Sequence, residues 1–151
     1  MTDPLLSLED VRAGYGMTEV LQGVSMDVER GSVVSLVGRN GVGKTTTLRS
    51  IVGNITPNGG SITFNGEDIT TLTSETTIRR GIGFVPEERR IFPELTVREN
   101  IRMGEIGSES PDGPSVDDVL DMFENLAERE HRDGSVLSGG EQQMLAGGRA
   151  L

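Results

Sequence analysis

The stretch GRNGVGKTT, residues 38–46, decides the fold of this chain. It fits the pattern G-x-x-x-x-G-K-[ST]. The four fixed positions are Gly38, Gly43, Lys44 and Thr45. The preceding run SVVSLV, residues 32–37, is apolar and β-branched and predicts a strand, while TTTLRSIV, residues 45–52, predicts a helix. A glycine-rich loop between a strand and a helix is the setting in which this pattern binds phosphate.

The residues of the loop have separate predicted roles. Its glycines let the backbone bend so that successive N–H groups point at a phosphate, and the helix dipole favours the same anion. Lys44 is predicted to reach the β- and γ-phosphate oxygens of a nucleotide, and the Thr45 hydroxyl is suited to bind Mg²⁺. The predicted binding set is Gly38, Arg39, Asn40, Gly41, Val42, Gly43, Lys44, Thr45 and Thr46. The weaker alternative is a glycine-rich turn without a ligand.

The composition limits the classes of partner. Lys44 is the only lysine among 14 Lys and Arg residues, and 24 Asp and Glu residues give a net charge of −10. This acidic balance disfavours a nucleic-acid partner, because no basic stripe could neutralise phosphates. Many acids with almost no lysine also favour the hypothesis of a salt-adapted protein, in which salt screens the self-repulsion.

The remaining composition indicates a single cytosolic domain of 151 residues. The chain has no cysteine, which excludes disulfides and thiolate chemistry. No apolar run approaches the roughly 18 residues of a membrane span. The beginning, MTDPLLSLED, lacks the basic segment of a signal peptide.

The first part of the chain is strand-like on both sides of the loop. Residues 5–12 and 20–28 have strand character, and TPNGG at residues 56–60 is typical of a turn. SITF at residues 61–64 predicts a short strand, and the Asn-Gly pair at 65–66 predicts a hairpin. We therefore expect short antiparallel strands around a parallel phosphate-loop unit.

The second part is more helical. Residues 74–80 predict a short helix, 82–85 (IGFV) a buried strand, and 104–114 a flexible surface connection. Helices are predicted over residues 96–103 and 115–129, each beginning with a capping box. The capping pairs are Thr96 with Glu99 and Ser115 with Asp118.

The last part, VLSGGEQQMLAGGRAL at residues 136–151, allows two interpretations. Ser138 and Glu141 have capping-box spacing before a helix, which explains these two residues structurally. Capping does not explain Gly139 and Gly140 in the first helical turn, where each glycine costs up to about 1 kcal/mol relative to alanine. Paired glycines at a helix N-terminus expose N–H groups to an incoming anion, so we favour a binding role.

A phosphate loop followed by LSGGEQQ at residues 137–143 resembles the nucleotide-binding subunit of an ABC transporter, over the whole chain. The resemblance implies an α/β P-loop NTPase. It has an N-terminal antiparallel β subdomain with the phosphate-loop core over residues 1–94, an α-helical subdomain over residues 95–151, and an incomplete core sheet. It also implies binding of ATP and Mg²⁺, and a head-to-tail dimer with a second ATPase subunit. The residues that would contact the partner's ATP are Leu137, Ser138, Gly139, Gly140 and Glu141. Integral membrane permease subunits would hold the protein at the inner face of the cell membrane.

The resemblance gives roles to further residues. Tyr15, the only tyrosine, stands where the family has an aromatic ring that stacks on adenine; the alternative is an apolar residue at a strand end. VPEERRIF at residues 85–92 matches the family's Q-loop region, with Glu87 in place of glutamine. Lys44 and Glu87 are thus the implied catalytic residues, and Thr45 and Glu87 the implied Mg²⁺ ligands. A surface carboxylate is the alternative for Glu87, and Arg89 and Arg90 would pair with a membrane partner or remain solvated.

Three segments resemble one branch of the family most closely, the smaller ATPase of branched-chain amino acid importers. They are VPEERR, IFPELTVREN and SGGEQQMLA. Importers for urea or short amides are similar in pattern and remain an alternative.

The family also has an apolar strand that ends in Asp, followed by a catalytic Glu and a later His, and we find no matching stretch. VSMD at residues 24–27 has only two strongly apolar positions, VLD at 119–121 lies in a predicted helix, and His131 precedes LSGGE. We therefore expect the phosphate-loop strand to have an unpaired edge and the chain to be inactive as an ATPase. An inactive remnant is the second interpretation, and a soluble ABC ATPase of repair or translation is a weaker third.

Overall fold

The computed structural model of the protein describes residues 3–88, 90–107 and 113–151. The chain divides into two compact units, Met1–Thr77 and Ile78–Leu151. Within the described ranges, no helix is both long enough and apolar enough to cross a membrane.

The first unit contains a four-stranded sheet. Its strands are β1 (Leu6–Tyr15), β2 (Thr18–Val28), β3 (Gly59–Phe64) and β4 (Glu67–Asp68). They lie in the order β2-β1-β3-β4, and every neighbouring pair is antiparallel. The predicted antiparallel strands are therefore confirmed.

The hairpin between β3 and β4 turns at the predicted Asn-Gly pair. Asn65 has φ 49° and Gly66 has φ 80°. Positive φ at both central residues is the requirement of the two-residue turn that matches the twist of the strands.

Helix α1 (Lys44–Ile51) follows the glycine-rich loop and contacts β1 and β2. It begins one residue earlier and ends one residue earlier than the prediction of 45–52. Its buried residues are Thr46, Thr47, Ser50 and Ile51. The buried face anchors the helix, so the loop before it lies next to the sheet.

Two predicted strands, residues 32–37 and 82–85, are not strands in the structure. An apolar β-branched run sets only a preference, since a strand needs a neighbour that supplies its backbone hydrogen bonds. No segment of the described chain pairs with either run. Residues 32–37 are exposed throughout, with Val33 at 94% and Val37 at 89% exposure. The prediction of a strand with one unpaired edge is therefore not met, because this run forms no strand.

The second unit is helical after α2 (Ser74–Arg79), in which the boundary between the units falls. Its helices are α3 (Val97–Gly107), α4 (Val116–Met122), α5 (Glu124–Ala127), a 3₁₀ turn (Gly134–Val136) and α6 (Gly139–Gly148). Its core cluster consists of Val97, Ile101, Val116, Val119, Leu120, Leu126, Leu137 and Leu145.

All three predicted capping boxes are confirmed. Thr96 and Glu99 bond to each other at the start of α3 through Glu99 Oε2 and Thr96 Oγ1. Reciprocal bonds also link Ser115 with Asp118 before α4, and Ser138 with Glu141 before α6. Side chains thus satisfy N–H groups that a helix start would leave unpaired.

Two helix boundaries in this unit differ from the predictions. The helix predicted over residues 115–129 is interrupted at Phe123, whose φ of −124° and ψ of 77° leave the helical region while its side chain packs on the core. Helix α3 continues to Gly107, into the predicted loop 104–114, and residues 108–112 of that loop lie outside the described residues.

Asn100, on α3, fixes the segment that precedes this helix. The residue is fully buried, and its Oδ1 accepts a hydrogen bond from Phe92 N at 2.8 Å. Its Nδ2 donates to the carbonyl oxygens of Phe92, Leu95 and Thr96 at 2.9 to 3.0 Å. Because a buried amide must be paired, this one side chain sets the course of residues 92–96.

Candidate functional site

The loop before α1 has the backbone geometry of an anion cradle. Gly41 has φ 83° and Gly43 has φ 107°, a region that residues with a side chain rarely adopt. A Cβ at position 43 would also lie 2.7 Å from Leu21 Cδ2. Left-handed residues alternating with ordinary ones turn successive N–H groups to one side, which is the arrangement that binds phosphate.

The N-terminus of α1 is open to such an anion. Its N-cap is Gly43, no side chain accepts a hydrogen bond there, and the first turn contains no acidic residue. The free N–H groups and the positive end of the helix dipole therefore face a site without a competing carboxylate. Helices α3, α4 and α6 each have instead a carboxylate in the first turn that accepts a hydrogen bond from a backbone N–H.

The hydroxyl groups at the start of α1 differ in exposure. Thr45 is exposed, whereas Thr46 and Thr47 are buried. The Thr47 hydroxyl donates to the Gly43 carbonyl at 2.9 Å. Thr45 is therefore the residue of the three whose hydroxyl is free to face a ligand or its metal ion.

Lys44 lies over the loop. Its ammonium donates to the carbonyl oxygens of Gly38 at 2.6 Å and Arg39 at 2.9 Å. No carboxylate of the described chain forms an ion pair with it. The positive charge therefore remains available to the cradle, where it complements the N–H groups. The other predicted loop residues, Arg39, Asn40 and Val42, are exposed beside it.

Tyr15 is the last residue of β1 and pairs with Thr18 across the hairpin end. Its side chain is half-exposed, and its hydroxyl accepts a hydrogen bond from Arg49 Nη1 at 3.2 Å. Hydrogen bonds from the Thr46 hydroxyl and from Arg49 lower the pKa of the Tyr15 hydroxyl. No sequence pattern points to Arg49, because the end of β1 and the last turn of α1 meet only in the folded unit.

The second predicted binding segment, residues 137–141, lies in the second unit. Leu137 is buried in the helical core, and Ser138 is the N-cap of α6. Ser138 N donates to Glu141 Oε2 at 2.8 Å, and Glu141 N donates to Ser138 Oγ at 3.3 Å. The structural interpretation of Ser138 and Glu141 is thus correct, whatever further role they have.

Glu141 has a second partner in Arg129, with 3.1 Å between Arg129 Nη1 and Glu141 Oε1. The hydrogen bond from the Ser138 backbone N–H is the largest influence on this carboxyl and lowers its pKa, with smaller contributions from the Ser138 side chain and from Arg129. The carboxylate is therefore held in its charged form at the helix start.

Gly140 has no structural reason to be a glycine within the described chain. A Cβ built there meets no atom within 4 Å, and the residue is exposed and helical. Glycine at such a position weakens a helix relative to alanine. The space in front of the first turn of α6 is therefore open.

Glu87, the predicted Q-loop residue, is exposed in the irregular segment between α2 and α3. Near it, Arg90 forms an ion pair with Glu88 at 2.8 Å, and Arg89 lies outside the described residues. Residues 3–88, 90–107 and 113–151 contain no group of three or more His, Cys, Asp or Glu side chains able to hold a metal ion. The Mg²⁺ role of Thr45 and Glu87 stays a prediction.

The predicted residues thus form two sets. Tyr15 and residues 38–46 lie together in the first unit, with Arg49 beside Tyr15. Glu87 and residues 137–141 lie in the second unit.

The sequence of this chain is similar to those of known proteins. The family model described as "ABC transporter" matches residues 21–151. The high-affinity branched-chain amino acid transport ATP-binding protein BraG of Pseudomonas aeruginosa is 43% identical over 148 residues, which cover 97% of this chain and 64% of that protein. The probable branched-chain amino acid transport ATP-binding protein LivF of Archaeoglobus fulgidus is 36% identical over 97% of this chain and 63% of its own length.

A solved structure shows the same fold. The ADP conformation of MJ1267, an ATP-binding cassette of an ABC transporter, matches with a TM-score of 0.80 and 31% identity over 99% of this chain. The chain covers 65% of that structure. It therefore spans slightly less than two thirds of the length of these relatives.

Proposed function

Because the chain belongs to the ABC transporter family and has the cassette fold, we propose that it is the nucleotide-gripping part of an importer ATPase. The observation that carries the proposal is the open N-terminus of α1, with Gly41 and Gly43 in left-handed conformations and no side-chain cap. An uncapped helix start beside a lysine is a site for phosphate groups, and ATP is the nucleotide that the family uses.

Different residues of the first unit would bind different parts of the nucleotide. N–H groups of residues 41–46 would surround the phosphates, and Lys44 would exchange its bonds to Gly38 O and Arg39 O for phosphate oxygens. The half-exposed ring of Tyr15 would stack on adenine. Mg²⁺ would neutralise charge on the phosphates when it is bound, and the exposed Thr45 hydroxyl fits the oxygen chemistry that this ion prefers.

We propose that residues 137–141 act on a nucleotide bound to a second subunit. The open space over Gly140 supports this role, since the fold of the described chain does not need a glycine there. Two chains arranged head-to-tail would then each place a first turn of α6 against the other's phosphates. Glu87 would add a carboxylate near the γ-phosphate, and permease subunits at the membrane would complete the assembly.

We further propose that residues 32–37 form a sheet strand only when they pair with segments that the relatives have in the part of their length that this chain does not cover. Their full exposure supports this, because an unpaired apolar run is unfavourable in water. The groups that would activate the attacking water would lie there also. The 151-residue chain would then bind ATP without hydrolysing it.

We propose that the transported solutes are branched-chain amino acids. The 43% identity to BraG supports this choice. The alternative is a urea or short-amide importer, which the sequence pattern does not separate from the first.

Uptake of labelled leucine and of urea by cells that carry the gene for this protein tests the transport function. We expect Lys44→Ala to abolish leucine uptake and leave urea uptake unchanged. Loss of urea uptake alone would favour the alternative solute, and no effect on either solute would contradict a role in import.

A further inference from the structure

We propose that Arg49 is a positioning residue for the nucleotide base, because it ties the hydroxyl of Tyr15 to the helix that begins at the phosphate loop. The inference rests on the proposed function and deepens it. Arg49 would thereby fix the distance between the Tyr15 ring and the phosphate loop.

Tyr15 lies at an exposed hairpin end. The residue stands at the end of β1, directly before the turn that contains Gly16 and Met17. Met17 is fully exposed and the Tyr15 ring is half-exposed. At a hairpin end with so little covering, a hydrogen bond to another element decides where the ring lies.

The second observation is that this bond comes from α1. Arg49 Nη1 lies 3.2 Å from the Tyr15 hydroxyl, although the two residues are 34 positions apart in sequence. Thr46, which also lowers the pKa of the Tyr15 hydroxyl, precedes Arg49 by three residues and therefore lies on the same face of the helix.

The third observation is the continuity of α1. Lys44, Thr46 and Arg49 all belong to this one helix, whose buried face packs against β1 and β2. A short packed helix is rigid on the scale of a hydrogen bond. The phosphate cradle at its start and the ring held by its last turn are consequently fixed relative to each other before a nucleotide arrives. Such preorganisation raises affinity by reducing the ordering cost of binding.

A purely structural role for Arg49 is the competing explanation. Arg49 is the basic residue in the last turn of α1, where a cation interacts favourably with the helix dipole. A dipole role would depend only on the charge and would be indifferent to Tyr15. The two explanations therefore differ in what happens to the tyrosine when the guanidinium is removed.

The first experiment uses the fact that the chain contains one tyrosine and no tryptophan. The tyrosinate absorbance of the complete chain therefore reports Tyr15 alone. We expect the Tyr15 pKa to lie below the ordinary value of about 10, and Arg49→Met to raise it. Arg49→Lys, which keeps a donor and the charge, should give an intermediate value. An unchanged titration in Arg49→Met, with the helix content retained by circular dichroism, would overturn the proposal.

The second experiment compares the affinities of the complete chain for ATP and for inorganic tripolyphosphate by calorimetry. Tyr15→Phe and Arg49→Met should each weaken ATP binding by about three- to tenfold, the range of one lost hydrogen bond, and leave tripolyphosphate binding unchanged. The double variant should be no weaker than either single one. Arg30→Met, an arginine that bonds to Asn65 elsewhere in the unit, is the matched control and should change neither affinity.

The outcomes separate this inference from the proposed function. If the unmodified chain binds ATP but Arg49→Met weakens both ligands equally or neither, the positioning role fails and the proposed function stands. If the unmodified chain binds neither ligand, both are contradicted.

Discussion

At residue 140 the chain has a glycine that none of its own described atoms requires. A methyl group there would meet open space, as it would at Gly147 in the same helix. The two glycines differ in their place, since Gly140 lies in the first turn of α6 and Gly147 lies near its end.

We predict that Gly140→Ala leaves the free energy of unfolding unchanged or raises it by up to about 1 kcal/mol, because alanine favours the helix. ATP-dependent uptake by cells that carry the gene for this protein should nevertheless fall by about tenfold or more, since a methyl group would intrude on the approaching nucleotide. Gly147→Ala is the control, with similar stability and normal uptake. Equal uptake in the two variants would contradict a contact at Gly140.

Some features of single residues could be predicted from the sequence, and others could not. The phosphate-loop pattern predicts the bent backbone at Gly41 and Gly43, because the glycines of this motif permit that geometry. The bond from Arg49 to Tyr15 joins residues 34 positions apart, and no local pattern encodes it.

At the scale of elements, the three capping boxes make helix starts sensitive to acid. Hydrogen bonds from Thr96, Ser115 and Ser138 lower the pKa values of Glu99, Asp118 and Glu141 respectively. A carboxyl with a lower pKa in the folded state stabilises the fold above its unfolded pKa, about 4 for these groups, and loses this contribution as the pH falls through the folded value.

We therefore predict that the urea midpoint of unfolding falls as the pH is lowered below about 4. Glu141→Gln keeps an oxygen that can accept from Ser138 N but cannot titrate, so its midpoint should depend less on pH. The measurement is a series of urea titrations at decreasing pH on both proteins. Parallel pH profiles would show that this carboxylate is not coupled to folding.

Asn100 links helix α3 to the segment before it through four hydrogen bonds. Asn100→Ala would leave Phe92 N and three carbonyl groups without their buried partner. We predict a loss of about 2 to 4 kcal/mol in the free energy of unfolding, measured by urea titration. Asn125→Ala, at an exposed position of α5, should change it by less than about 0.5 kcal/mol. Similar values for the two variants would contradict the anchoring role.

The elements also show where sequence patterns are insufficient. Helices with caps and the Asn-Gly hairpin form as predicted, because their signals are local. Residues 32–37 and 82–85 have the apolar pattern that predicts a strand, yet neither segment forms one. Strand formation depends on neighbours, and a sequence window contains no information about them.

At the scale of the whole molecule, the net charge of −10 opposes folding through self-repulsion. If the protein is salt-adapted, molar potassium chloride should raise the urea midpoint substantially, because it screens the exposed acids. Urea titrations in dilute buffer and in concentrated salt measure this. Full stability in dilute buffer would argue against salt adaptation.

The family and the cassette fold could be predicted from the whole sequence, because the phosphate loop and LSGGE are specific as a pair. The division at Thr77 and Ile78 could not, since no change of composition marks it within α2. The assignment of the predicted site residues to two units follows from that division.

The central claim is tested most directly by two measurements on the 151-residue chain with ATP and Mg²⁺. Calorimetry measures ATP binding, and a phosphate assay on the same sample measures hydrolysis. We predict binding that Lys44→Ala weakens by at least about tenfold, the loss of one charge-assisted contact, and no turnover above background. ATP affinity that is equal in the unmodified chain and in Lys44→Ala would contradict the account.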